Sequence, residues 1–138
     1  MDVVELIGRL MFAALFVLSG IPHLTEREGR VAYSRSAGVP APEVLVPATG
    51  VMIIAGGLMV ALGVWADLGA LLIAAFLIPT AFLMHGFWSF DDPQERMNQH
   101  AHFMKNISLA GGALVIFYLY RQFGDEIGLN ITGPLFYS

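Results

Sequence analysis

Residues 51–79 read VMIIAGGLMVALGVWADLGALLIAAFLIP, and this stretch decides the fold because Asp67 is its only charged residue. A helix that is apolar on every side is either buried in protein or in contact with lipid. A soluble four-helix bundle is the alternative, but each of its helices would show a polar face, and four all-apolar helices cannot bury one another. The stretch therefore predicts two membrane-spanning helices, joined by a tight turn at residues 65–67 in which Asp67 caps the second helix.

The composition of the whole chain agrees with a membrane protein. Of its 138 residues, 57% are hydrophobic and 13% are charged, and the mean hydropathy is +0.69. Soluble domains carry about 25% charged residues, so this composition argues against a soluble enzyme and against a disordered tail. The formal charge of −4, with no dense basic block, argues against a nucleic-acid binder as well. Without cysteine, the chain has neither disulfides nor thiolate chemistry.

Four long apolar runs divide the chain, and each is close to the roughly 20 residues that a helix needs to cross a bilayer. They cover about residues 3–24, 44–65, 68–88 and 101–120. Apolar and polar residues do not alternate strictly, which favours helices over barrel strands. Asp2 and Glu5 stand at the start of the first run where a signal peptide would have basic residues, so we expect a span and not a cleaved leader. The predicted fold is an all-α, antiparallel bundle of four transmembrane helices.

The segments between the runs carry most of the charge. Residues 25–43 mix charged and apolar side chains and end in two prolines, which predicts a short amphipathic helix at the membrane interface after the first span. Residues 89–100 are expected to form the other long connection. The tail after Arg121 is expected to pack against the membrane surface. Glu5 and Arg9 are four residues apart in the first helix, which predicts an ion pair.

Four spans in series alternate in direction, so the first ends, the third ends and the fourth begins on the same side of the membrane. All histidines of the chain fall on this side, namely His23, His85, His100 and His102. We call it the histidine end, and the opposite side the terminal end. His100 and His102 are two residues apart, so a helix points them in different directions. This spacing argues against chelation of a metal by the pair.

The polar residues near the histidine end predict a small pocket. Its predicted members are Ser19, His23, His85, His102, Lys105 and Asn106, with Trp88 and the first connection as a roof. The amide of Asn106 cannot reach water, so we expect it to find hydrogen-bond partners among the histidines. Imidazole and ammonium groups donate to a quinone carbonyl, and apolar helix faces suit a hydrocarbon tail, which points to a quinone or a lipid.

Two alternatives to this pocket stay open. His, Lys and Trp side chains are also ordinary anchors at the membrane–water interface, without any ligand. Two histidines from different helices, such as His23 and His102, could instead hold a haem.

Basic residues are unequally distributed between the two ends. The histidine end has five against two at the terminal end: Arg27, Arg30, Arg35, Arg96 and Lys105 against Arg9 and Arg121. Because cytoplasmic loops carry the excess of Lys and Arg, this bias predicts a cytoplasmic histidine end and both termini outside the cytoplasm.

Several short stretches together carry a likeness to a known family. They are GRL at 8–10, LSGIPH at 18–23, AGG at 55–57, TAFLMHGFW at 80–88, HFMKN at 102–106, AGG at 110–112 and TGPLF at 132–136. The chain resembles the DoxX family of small bacterial integral membrane proteins over nearly its whole length. It departs from the family at His23, where a lysine is common.

The resemblance implies a four-helix protein of the bacterial inner membrane in a quinone-linked redox context. The family takes its name from a subunit associated with a terminal quinol oxidase and with thiosulfate:quinone oxidoreductase. We therefore expect an accessory subunit of a redox membrane complex, in contact with lipid and with other subunits or a second copy of itself. The alternative is a purely structural subunit without a ligand. An oxidoreductase acting alone is less favoured, because no cysteine, flavin fingerprint or metal motif is present to carry electrons.

Overall fold

The computed structural model describes residues 2–136, and helices are the only regular secondary structure in that range. The elements in chain order are α1 (Asp2–Thr25), α2 (Arg27–Ser36), α3 (Pro42–Leu62), α4 (Ala66–Met84), a short 3₁₀ helix (Phe87–Ser89) and α5 (Pro93–Phe123). Four of them, α1, α3, α4 and α5, are long and apolar enough to cross a membrane. The predicted all-α fold with four spans is confirmed, and α2 is the short helix predicted after the first span.

The spanning helices form an incompletely closed bundle. Close backbone approach links α1 to α3, α3 to α4 and α4 to α5, whereas α1 and α5 approach each other closely at almost no point. A buried core of mostly small and branched side chains fills the interior, including Phe16, Ile53, Ile73, Leu77 and Ala113. Many other large apolar side chains are exposed along the outside of the helices, as expected where lipid is the solvent.

Glycines permit the tight contact between α3 and α4. A Cβ atom added at Gly56 would lie 2.9 Å from the carbonyl oxygen of Gly69, and one added at Gly69 would lie 2.8 Å from the carbonyl oxygen of Gly56. Such distances are shorter than real Cβ contacts. Small residues at helix interfaces let backbones approach closely. The van der Waals contacts that result stabilise helix packing in lipid.

The fourth span begins earlier than predicted. Helix α5 starts at Pro93 and runs for 31 residues, which is about 46 Å at 1.5 Å per residue. The backbone N–H of Glu95 donates to Asp92 Oδ2 at 3.2 Å, so Asp92 caps the helix ahead of a proline at its first position. Most of the predicted connection at residues 89–100 is therefore helical. His102 lies more than two turns inside α5 instead of at its start.

The prediction that Asp67 caps α4 is wrong. The residue at the N-cap is Trp65, and no side chain caps this end of the helix. Asp67 is fully buried, and its carboxylate accepts hydrogen bonds from the backbone N–H groups of Leu135 at 2.8 Å and Phe136 at 2.6 Å. It therefore stabilises the C-terminal tail, which has no helix to supply its own partners.

The C-terminal tail folds back onto the terminal end of the bundle. The backbone N–H groups of Ile131 and Thr132 donate to the carbonyl oxygens of Leu62 and Gly63 at 3.2 and 3.0 Å. The tail thus pairs with the last turn of α3, where helix carbonyls have no partner within the helix.

A polar cluster joins the tail to α1 and α5 at the terminal end. Arg9 Nε lies 2.7 Å from Glu5 Oε1, which confirms that ion pair. Arg9 is only 3% exposed, and its two terminal nitrogens donate to Asn130 Oδ1 and to the carbonyl oxygen of Leu129, both at 2.7 Å. The Tyr120 hydroxyl lies 3.0 Å from Glu5 Oε1 and 2.7 Å from Asn130 Oδ1. A charge inside an apolar span needs such partners.

Candidate functional site

A cavity of about 820 Å³ lies at the histidine end, between the spanning helices and under α2. All four spanning helices contribute to its wall. The side chains at its polar end come from α1, α2, α3 and α5 and from the C-terminus of α4, while the remaining wall is apolar and includes Leu15, Phe16, Ile53, Phe76, Leu77 and Leu109. The cavity is therefore amphipathic, with a polar end near the membrane surface and an apolar part deeper in the bundle.

Six of the seven predicted site residues line this one cavity. They are Ser19, His23, His85, His102, Lys105 and Asn106. The structure thus brings together residues from α1, the end of α4 and the N-terminal half of α5. The antiparallel course of the helices is the cause, because it places the end of one span beside the start of the next.

Trp88 is the exception, since it does not line the cavity. The short 3₁₀ helix after α4 turns its indole outward, where it is half exposed and packs against Phe82 and Phe103 at centroid distances of 6.1 and 5.6 Å. Of the two parts of the predicted roof, only the first connection borders the cavity, because its helix α2 contributes Arg30, Tyr33 and Ser34 to the lining.

His23 is held by the third helix. Its Nδ1 atom lies 3.1 Å from the carbonyl oxygen of Val46 and 3.2 Å from Thr49 Oγ1. The approach of α1 to α3 at this level depends on glycine, because a Cβ atom at Gly50 would meet the Cβ atom of His23. The rings of His23 and Phe76 of α4 pack edge to face, with their centroids 5.9 Å apart. These contacts fix the ring where it borders the cavity.

His85 follows the last residue of α4 and is held by α5. Its Nδ1 atom lies 2.8 Å from Gln99 Oε1, and Gln99 Nε2 donates to Glu95 Oε1 at 2.9 Å. On its other side the ring stacks on His102, with centroids 5.0 Å apart and an interplanar angle of 26°. His100 points elsewhere and meets the edge of Phe87 at 4.5 Å, as its spacing from His102 predicts.

Asn106 is 4% exposed and borders the cavity. Within residues 2–136 its side-chain amide makes no hydrogen bond, because the hydrogen bonds of His23 and His85 go to Val46, Thr49 and Gln99. The expectation that histidines satisfy this amide is therefore wrong. Lys105, one residue earlier, is exposed and also borders the cavity.

Sequence reasoning missed several polar lining residues. They are Arg30, Tyr33 and Ser34 of α2, Thr49 of α3 and Thr80 of α4. Thr49 and Thr80 stand out as hydroxyls within apolar runs, so the sequence carried a signal for them. For α2 the sequence predicted only that its segment covers the pocket, because the side chains that face the bundle depend on how α2 folds back over it. Within the described part of the chain, no group of three or more His, Asp or Glu side chains could hold a metal ion.

Comparison with known proteins agrees with this architecture. Residues 4–86, which cover α1 to α4, match the DoxX family. This chain belongs to the DoxX family. Two proteins of Escherichia coli strain K12 extend the match over almost all of the chain. The inner membrane protein YqjF is 31% identical over 137 residues, which is 99% of this chain and 89% of that protein. The inner membrane protein YphA is 28% identical over 132 residues, or 96% and 84% of the two chains.

No solved structure matches the chain. The DoxX assignment and the four apolar helices identify a membrane protein embedded in a lipid bilayer. Both E. coli relatives are inner membrane proteins by name.

Proposed function

We propose that this DoxX protein is an accessory subunit of a quinone-linked redox complex of the bacterial inner membrane, and that its cavity binds the head of a quinone or a lipid. The tail of such a ligand is accommodated by the apolar wall. The head is bound by the polar side chains at the histidine end. Partner subunits, or a second copy of the chain, contact the outward-facing apolar surfaces of the helices.

The form of the cavity supports this proposal. Its volume of about 820 Å³ falls within the roughly 300–1,000 Å³ of small-molecule sites, which are mostly apolar with a few oriented polar groups. Arg30 and Lys105 supply positive charge to the lining, and no acidic residue is among the lining residues. Such a lining suits oxygen-rich heads that accept hydrogen bonds from cationic groups.

The single observation that carries the proposal is the amide of Asn106. Asn106 is 4% exposed as a residue and borders the cavity, and its side-chain amide offers both N–H donors and an oxygen acceptor there. A ligand oxygen at this position would accept a hydrogen bond from the amide. A residue that only anchors the helix at the interface has no need to be 4% exposed.

The test is ligand retention by the purified protein. We expect native protein in mild detergent to yield quinone or a defined lipid on solvent extraction, and Asn106→Leu and Lys105→Met to lose it. Asn98→Leu is the matched control, because Asn98 is an exposed asparagine on the same helix outside the cavity. Loss of ligand in the control as well would indicate a general effect of the substitution.

A purely structural subunit would give a different result. Native protein would then carry no stoichiometric ligand, and Asn106→Leu would assemble with its partners normally in a native pull-down. A Soret band in the visible spectrum would instead favour haem held by His23 and His102, both of which border the cavity.

The proposed orientation places the histidine end in the cytoplasm. Arg30 and Arg35 of α2 pair with Glu26 and Glu43, so the orientation rests on the count of five basic residues at the histidine end against two at the terminal end, because the rule counts Lys and Arg and gives acids little weight. Arg96→Cys and Arg121→Cys test the orientation, since the native chain has no cysteine. In intact cells a membrane-impermeant thiol reagent should label Arg121→Cys and not Arg96→Cys.

A further inference from the structure

The orientation of the Gln99 amide determines which nitrogen of His85 carries its proton. Gln99 Nε2 lies 2.9 Å from Glu95 Oε1, and an ionised carboxylate only accepts hydrogen bonds, so the NH₂ group of the amide faces Glu95. The amide oxygen then faces His85 Nδ1 at 2.8 Å. Because an amide oxygen also only accepts, Nδ1 of His85 must be the donor.

The same reasoning applies to His23. Its Nδ1 atom lies 3.1 Å from the carbonyl oxygen of Val46, which only accepts. The neighbouring Thr49 hydroxyl lies 2.7 Å from the carbonyl oxygen of Leu45, to which it donates its own hydrogen. His23 therefore also carries its proton on Nδ1.

In a neutral imidazole with a proton on Nδ1, Nε2 is an acceptor. Both rings border the cavity, and within residues 2–136 neither Nε2 atom makes a hydrogen bond. A ligand with only carbonyl or ether oxygens would set one acceptor against another at these positions. A ligand hydroxyl would donate to them.

We infer that Glu95 and Gln99 act as positioning residues that make His85 a hydrogen-bond acceptor, so that the cavity selects a head group bearing a hydroxyl. The hydroxyl can be aromatic, as in a quinol, or aliphatic, as in a glycerol headgroup. A fully oxidised quinone can accept hydrogen bonds from Lys105 and Asn106 but cannot donate one to His85, so we expect it to bind less well than the quinol. This inference rests on the proposed function, because it requires an apolar-tailed ligand in the cavity.

The proton position is measured without any ligand. Long-range ¹H–¹⁵N correlation spectra of the histidine rings distinguish the two neutral tautomers, and His85→Gln assigns the His85 signal. We expect the Nδ1–H pattern for His85 in the native protein, and a mixture of tautomers in Gln99→Leu. The milder variant Glu95→Gln removes the fixed acceptor for Gln99 and is expected to shift the same signal. Gln94→Leu, an exposed glutamine on the same helix, is the control. An Nε2–H pattern in the native protein would overturn the inference and leave the proposed function intact.

Ligand preference is measured with a long-chain alkylphenol and its O-methyl ether, partitioned between nanodiscs with and without the protein. We expect the phenol to bind about 10-fold better, as one additional hydrogen bond in a buried site provides, and Gln99→Leu to reduce this ratio. A monoalkylglycerol as third probe distinguishes an aromatic from an aliphatic hydroxyl. The inference is supported if the phenol or the monoalkylglycerol binds more tightly than the O-methyl ether. Equal binding of phenol and ether would contradict hydroxyl selection alone. Binding of none of the probes would remove both the inference and the proposed function.

Discussion

The buried carboxylate of Asp67 accepts a hydrogen bond from the backbone N–H of Leu135 at 2.8 Å, although 68 residues separate them in sequence. Together with the bond to Phe136, this contact connects the start of α4 to the C-terminal tail. The tail in turn pairs with the end of α3 and with Arg9 of α1. Hydrogen bonds between distant segments therefore close the terminal end of the bundle, whereas the histidine end contains the cavity.

Substitution of Asp67 is expected to destabilise the protein through the tail. Asp67→Ala removes the buried acceptor of two backbone N–H groups, and we expect a loss of about 2–4 kcal/mol in unfolding free energy, since a hydrogen bond to a charged group contributes roughly 1.5–3 kcal/mol. Thermal denaturation in detergent measures the loss, and limited proteolysis reports whether residues 125–136 are released first. Asp125→Ala, at an exposed aspartate, is the control. Equal melting temperatures for the two variants would show that the tail contributes no stability.

Two asparagines are expected to respond in opposite ways to the same substitution. Asn106 has no hydrogen-bond partner within residues 2–136, so Asn106→Leu should leave the melting temperature of ligand-free protein unchanged or raise it. Asn130 bonds Arg9, Tyr120 and the carbonyl oxygen of Ile127, so Asn130→Leu should lower the unfolding free energy by about 2–4 kcal/mol. A clear destabilisation by Asn106→Leu in delipidated protein would show that its amide is satisfied within the protein.

Arg9 is expected to be intolerant of replacement even by lysine. Arg9→Lys keeps the charge but cannot reach Glu5, Asn130 and the Leu129 carbonyl together, because lysine has no planar fork of donors. Removal of one partner from a buried ion pair costs about 3–5 kcal/mol, so Arg9→Met should denature at much lower temperature than native protein. A double-mutant cycle with Glu5→Gln measures the coupling. Arg121→Lys, at an exposed position, should be silent.

The contact between α3 and α4 is expected to reject a single methyl group. In Gly56→Ala the new Cβ atom would lie 2.9 Å from the backbone oxygen of Gly69, and this oxygen cannot move without moving α4. We expect a loss of about 1–3 kcal/mol, as for overpacked cores. At Gly111 a Cβ atom meets nothing within 4 Å, so Gly111→Ala should be neutral or stabilising by up to about 1 kcal/mol through helix propensity. Melting temperatures of the two variants in the same detergent decide between these outcomes.

The spans and the grouping of the candidate site residues could be predicted from the sequence because they depend on local patterns. Apolar runs of about 20 residues predict the spans, and alternation of direction then brings His23, His85 and His102 to one end. The early start of α5 also had a local signal, an Asp-Pro pair followed by an acidic residue in the first turn, which we interpreted as part of a connection. That Asn106 borders a cavity together with the histidines follows from helical spacing.

The tertiary structure alone decided which polar groups pair. Asp67 looked like a helix cap from its position in a turn, but the long-range return of the tail supplied it with other donors. Trp88 was predicted to form the roof together with the first connection, but a short 3₁₀ helix turns it away, and only α2 of that connection covers the cavity. Hydrophobicity acts residue by residue and is readable along a chain, whereas a hydrogen bond needs two atoms within about 3 Å. The partner of a buried polar group is therefore known only when the whole chain is folded.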